Sequence, residues 1–281
     1  MTMPRAQVTA RLDRGVVPNV GEVITRRFAA TGHGLLPFPI GTEKIDMTGL
    51  DVDGGVHIMG SAVPLWLTSL GIERWGEEWV STGGLDMRFR TELFEGHQLT
   101  MHVIDTDQSR DINLADDGGV SCVTARVMEC GLDPERTVPG GVPSHGKVAA
   151  TRESLEGFRL CPVEFTFDAA RDLRIARDLE DAATWIDNEW AHPAWIASSA
   201  NAMIRRSIDF GNPPTWINAS TAIDFHGVVR DGEKVRVEGS VNEMFDRGRH
   251  HFAVIDLTVE ADGRRVASMR YSLIYASDSH R

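Results

Sequence analysis

The sequence is short of several residue types, and each shortage excludes something. Only three of its 281 residues are cysteines: Cys122, Cys130 and Cys161. Their number is odd and no two form a Cys-x-x-Cys pair, so a disulfide framework is not expected and a reducing cytoplasm is the simpler setting. Basic residues are also scarce, 29 against 41 acidic ones, for a net charge of −12. That balance argues against nucleic acid, which needs a basic footprint, and against an anionic membrane surface. It leaves room for a phosphorylated ligand, which needs only a local basic patch. No apolar stretch approaches the length of a membrane span. The opening residues MTMPRAQVTARLDRG lack the apolar region of a signal peptide. What remains is 42% hydrophobic, enough for a full core without staples. The length fits one large domain or two of about 100–150 residues.

The sequence is rich in repetition. HIMGSAVPLWLTSLG, opening at His57, precedes the strand-like GLDMRFRTELFEGHQLTMHV; HPAWIASSANAMI, opening at His192, precedes INASTAIDFHGVVRDGEKVRVEGSV. The two histidines are 135 positions apart, and the two turn glycines, Gly96 and Gly232, are 136 apart. Two landmarks with nearly one offset indicate a duplicated unit. Each unit reads as an apolar helix followed by antiparallel strands. The first spans about residues 15–130 and the second residues 153–281, joined by a Pro/Gly-rich linker, 131–152.

The second unit is the more legible. Val163, Phe165 and Phe167 alternate with polar residues, as in a half-buried strand. RDLRIARDLEDAATW reads as polar and helical. IDNEWAHPAW reads as a loop entering a helix, with Pro193 in the first turn, where a missing N–H costs nothing. Residues 233–245, 250–260 and 265–275 are strands joined at DRG and ADGR; Asp-Gly between alternating apolar residues is a strong hairpin signal. The first unit repeats this in a form about nine residues shorter. Helix 57–70 carries Pro64 in its interior, which predicts a kink or a split there.

One helix wrapped by a long antiparallel sheet, made twice, resembles the hotdog superfamily in its double form, and most closely the MaoC-like hydratase and dehydratase branch. The resemblance implies an α+β tandem hotdog acting on an acyl thioester linked to coenzyme A or a carrier, with no metal and no redox cofactor. Hydratases of this branch carry Asp-x-Asn-Pro-x-His. Here the segment is Asp187-Asn188-Glu189-Trp190-Ala191-His192. The acid and the base match; the Asn and Pro between them do not.

Such a pair suits the reaction. Adding water beside a thioester needs a base for the water and an acid for the α-carbon. The thioester oxygen gains charge, which N–H groups at the helix start could stabilise. The plainer alternative is that Asp187 or Asn188 caps a helix and His192 is hydrogen-bonded to its loop. The first copy has His57 but Val52 five positions earlier, with Asp51 and Asp53 beside it. Trp66 is a candidate wall for an acyl tunnel and Asn201 a polar group on it. Arg205-Arg206 and Arg247/Arg249 are candidates for coenzyme A phosphates. Thioester hydrolysis is the competing reaction, since Asp187 or Glu189 could direct a water at the carbonyl. Non-catalytic acyl binding also remains open, as does pairing of the chain into a homodimer.

Overall fold

The computed structural model describes residues 23–30, 51–52, 55–56, 58–133, 135–138, 142–211 and 216–278. In chain order the first half contributes β1 (Val23–Ala29), β2 (Asp51–Val52), β3 (Gly55–Val56), helix α1 (Pro64–Trp75), β4 (Gly84–Phe89), β5 (Gln98–Asp105), β6 (Ser109–Asp116) and β7 (Ser121–Met128). The second contributes β8 (Val148–Ala149), α2 (Arg152–Leu155), β9 (Val163–Thr166), α3 (Ala169–Asp172), α4 (Ala182–Asn188), α5 (Pro193–Ser207), β10 (Ile208–Asp209), β11 (Ile217–Phe225), β12 (Lys234–Arg247), β13 (His250–Ala261) and β14 (Arg264–Ser277).

Strand order confirms the duplication. Among the described residues one ten-stranded sheet runs β1-β5-β6-β7-β4-β11-β14-β13-β12-β9. Read from either edge inward, the order is first strand, hairpin pair, closing strand, and the strand that follows the helix. The halves meet where β4 pairs antiparallel with β11, from Gly84 opposite Asp224 to Arg88 opposite Ser220. The turn glycines Gly96 and Gly232 have matching left-handed backbones, φ 81° and 77°, which explains why both copies carry glycine there. The predicted length difference is also present: β5 and β6 have 8 residues each, β12 and β13 have 14 and 12.

Proline punctuates both central helices in the same way. Pro64 does not kink a helix running from 57 to 70. A 3-10 turn at Gly60–Ala62 ends first, and α1 begins at Pro64, its first helical position. Proline is tolerated there because that N–H has no intrahelical partner. The corresponding Pro193 opens α5. The linker is more firmly held than its composition implied. Arg136 is buried and pairs with Asp224 of β11 at 3.1 Å, and β8, inside the predicted linker, pairs with β10.

Aromatic rings fill the space between helices and sheet. Trp195 on α5 meets Phe165 and Phe167 edge-on, with centroids 5.1 and 4.9 Å away. The Tyr271 hydroxyl donates to the Ala197 carbonyl at 2.8 Å. In the first half the Trp79 indole N–H donates to Met128 O at 2.7 Å, and its ring meets Phe225 of the second half. Gly71 and Gly83 form the seat of Trp79; a Cβ at either would overlap the ring. Gly83→Ala is therefore expected to lower stability by about 1–3 kcal/mol through overpacking. Urea unfolding checks this; a variant as stable as the parent would show that the Trp79 seat is loose.

Candidate active site

A buried hydrogen-bonded cluster links the start of α5 to α1. Pro193 disfavours helical backbone at the preceding residue, so His192 is extended, φ −67° and ψ 143°, and caps α5. Its Nδ1 accepts the Ala194 N–H at 3.0 Å. Its Nε2 lies 3.0 Å from Thr68 Oγ1 on α1, and Thr68 donates to Asp181 Oδ2 at 3.1 Å. His192 and Thr68 are both fully buried. Thr68 thus joins the first half to two residues of the second.

The partners fix the direction of this chain. A ring nitrogen that accepts from an amide carries no proton, so the neutral imidazole has its hydrogen on Nε2. Nε2–H donates to Thr68, whose own hydrogen goes to Asp181. Burial agrees, holding the His192 pKa down at about 3. The ring also presents an edge to Trp185, centroids 4.6 Å apart.

Asp181 is a half-buried carboxylate with its charge only partly compensated. It stands at the start of α4, yet its carboxylate makes no cap bond. Burial raises its pKa, and the nearby Trp185 indole N–H together with the Thr68 hydroxyl bond offsets only part of that. The Trp185 indole N–H faces the carboxylate, but Trp185 Nε1 and Asp181 Oδ1 both stop short of hydrogen-bond geometry. One carboxylate oxygen is therefore buried and unpartnered. The neighbouring residue secures the loop: Arg26 on β1 bridges Glu73 of α1 at 2.8 Å and Glu180 at 3.3 Å.

The structure does not bring Asp187 and His192 together. Asp187 lies in the last turn of α4 and is exposed, while His192 is buried. Among the described residues no hydrogen bond joins them. The two departures from the Asp-x-Asn-Pro-x-His pattern account for this. Trp190 N–H, which a proline would lack, donates to Trp185 O at 3.0 Å and closes the helix end. Glu189 takes a left-handed cap conformation, φ 53°, which a following proline disfavours. The segment expected as a loop is consequently helical through Asn188.

The expected oxyanion donors at the start of α5 are also occupied. Ala194 N–H serves His192 Nδ1, and the Trp195 and Ile196 N–H groups serve His192 O at 2.8 and 3.2 Å. Only the positive end of the helix dipole remains there.

Of the other candidates, His57 lies outside the described residues. Trp66 is half-buried on α1, packed on Phe28 with centroids 5.3 Å apart. Asn201 is buried on α5. Arg205 sits 13 residues beyond His192, about 20 Å along the helix, and Arg247 ends β12 at a hairpin tip. Among the described residues, none of Trp66, Asn201 and Arg247 hydrogen-bonds to Thr68, His192 or Asp181 through its side chain, and Arg205 lies at the far end of the helix. Thr68 and Asp181 were not among the sequence candidates. Thr68 carried a signal, a hydroxyl inside an apolar helix; Asp181, in a run of charged residues, carried none.

No protein-family model matches the chain, and no curated protein matches it. Solved structures do. A conserved hypothetical protein of Mycobacterium tuberculosis with a double hotdog fold matches at TM-score 0.62 and 12% identity, covering 92% of this chain and 96% of that one. A MaoC-like dehydratase matches at 0.60 and 13%, covering 92% and 98%. A protein assigned as an oleoyl thioesterase, from Lactobacillus plantarum, matches at 0.50 and 9%, covering 92% and 98%. At these identities the likeness is one of fold: this chain is a double hotdog. No helix among the described residues is long and apolar enough to cross a membrane.

Proposed function

We propose that this protein adds water to, or removes it from, an acyl thioester, with Asp181 as the acid–base group. The observation that carries this reading is the half-buried Asp181 carboxylate, proton-hungry through desolvation, with Oδ1 inaccessible and outside hydrogen-bond geometry and Oδ2 held through Thr68 by His192. In hydration the carboxylate takes a proton from water as oxygen attacks the β-carbon. Electrons move through the double bond to the thioester oxygen. The proton held on Asp181 then passes to the α-carbon, and dehydration is the reverse. A raised carboxylate pKa narrows the gap between the group and its task near neutral pH. Thr68 and His192 hold Asp181 in place; His192 has no free lone pair with which to act as a base itself.

Hydrolysis is the second reading, favoured by the thioesterase among the fold neighbours. Against it, neither central helix has an acidic residue in its first turn to direct water at a carbonyl. One assay separates them. Incubation with a panel of enoyl-coenzyme A thioesters is expected to bleach the conjugated enoyl absorbance without releasing thiol. Thiol release with matching kinetics would establish the hydrolase, and silence in both channels with measurable ligand affinity would establish a binding protein.

A further inference from the structure

Strand β1 carries an arginine where its pattern calls for an apolar residue. Val23, Thr25 and Arg27 are exposed, while Ile24, Arg26 and Phe28 between them are half-buried, the alternation of a strand with one covered face. Phe28 packs on Trp66 of α1, so that face lies against the helix. A guanidinium there needs partners to offset its desolvation, and two carboxylates supply them. One nitrogen donates to both oxygens of Glu73 on α1, at 2.8 and 2.9 Å, and the other donates to Glu180 at 3.3 Å. Behind Glu73 stands Arg110 of β6, 3.1 Å away and itself 2.8 Å from the buried Asp105. Asp105, Arg110, Glu73, Arg26 and Glu180 thus form a chain of alternating sign that starts inside the first half. Its last member is the residue before Asp181.

We propose that Arg26 is a positioning residue that governs Asp181 through charge, neutralising Glu180 and so shielding Asp181 from the like charge beside it. This rests on the reading of Asp181 as the acid–base group. Two observations set the charge effect apart from a simple brace. Asp181 has its own tie to α1, the Thr68 hydroxyl at 3.1 Å, so the Arg26 bridge is not needed to hold it there. Half of the Glu180 side chain is exposed, so its bond to Arg26 contributes little to stability. Its charge nonetheless acts on Asp181, whose proton affinity it raises. The other charged or titratable groups around this segment are Glu77, which accepts from Thr184 of α4 at 3.3 Å, and His192, which is neutral. Neither offsets the Glu180 charge; the cation paired with it is Arg26, delivered from the opposite half.

The test is a pair of double-mutant cycles, read by urea unfolding of the intact chain at neutral pH and low salt. Asp181→Asn is combined with Arg26→Gln in one and with Glu180→Gln in the other. Removing Arg26 leaves Glu180 uncompensated, so the Asp181 charge costs more, and Asp181→Asn should stabilise this background more than it stabilises the parent. Removing the Glu180 charge should make the same substitution stabilise less. A brace gives one sign in both cycles, because either change breaks the same bond. Both couplings should shrink at about 0.5 M salt through screening. Arg26→Lys keeps the charge without the two-pronged bond and should match the parent; a loosened site in that variant would point to a brace, and it decides the question should Arg26→Gln fail to fold. Turnover of an enoyl-coenzyme A gives a second readout: the acid limb of kcat should move to higher pH in Arg26→Gln and to lower pH in Glu180→Gln. Couplings of equal sign, or none beyond error, overturn the inference alone. Couplings of the predicted signs in a parent that turns over no thioester uphold the charge coupling and overturn the acid–base reading of Asp181.

Discussion

Asp181→Asn is expected to reduce turnover of the acyl thioester by at least about a hundredfold, the lower end of what a positioned acid–base group contributes. Asp187→Asn should leave it near the parent value, because Asp187 is exposed and outside the Thr68 cluster. Stability supplies the control. The folded-state pKa of Asp181 is raised above its ordinary 3.8 by burial, so the fold penalises the charged form. That penalty is present in full above the folded-state pKa and vanishes below the unfolded one. The Asn variant should therefore be more stable than the parent at neutral pH, with the gain shrinking as the pH falls through the carboxylate range. A variant that is more stable and nearly inactive identifies a functional group that the fold tolerates at a cost. If Asp187→Asn is the inactive one, the acid assigned here is wrong.

Replacing His192 by asparagine is expected to flatten the dependence of stability on acid. The imidazole is neutral in the fold, its pKa lowered by burial from 6.5 to about 3, while the unfolded chain takes up a proton near 6.5. Its contribution is complete above 6.5 and is lost as the pH falls toward 3. Each pH unit below the unfolded value costs about 1.4 kcal/mol. Between about pH 7 and about pH 5 the parent should lose about 2 kcal/mol that the variant keeps. Asparagine is a strong N-cap and can present an acceptor to Ala194, so the variant should fold while losing some packing against Trp185. Urea unfolding at the two pH values gives the comparison; parallel losses in both proteins would mean that His192 protonates without leaving its site.

The fold was largely legible because its signals are local and repeated. Gly96 and Gly232 announced matching left-handed turns, the Asp-Gly turns set the last three strands, and the proline after His192 marked the start of α5. Pairing of β4 with β11 was not legible, since strand neighbours across a linker leave no periodic trace. The site was half legible. His192 stood out by position, but its ring is engaged by Ala194 and Thr68. Asp187 stood out by matching the Asp-x-Asn-Pro-x-His spacing, yet Glu189 and Trp190 let the helix run through it. Spacing along a chain predicts an encounter only if the intervening backbone is a loop, and here it is helical. Thr68 and Asp181 are 113 residues apart, and only packing of one half on the other brings them into contact.

The direction of the hydrogen-bond chain from Ala194 through His192 and Thr68 to Asp181 is the claim on which the acid–base role depends, and nitrogen-15 NMR of the His192 imidazole reads it directly. The predicted spectrum has an unprotonated Nδ1 and a protonated Nε2, with shifts that stay constant from about pH 8 to about pH 5, where an ordinary histidine titrates. An Nδ1–H tautomer, or a ring that gains a second proton in that range, would contradict it.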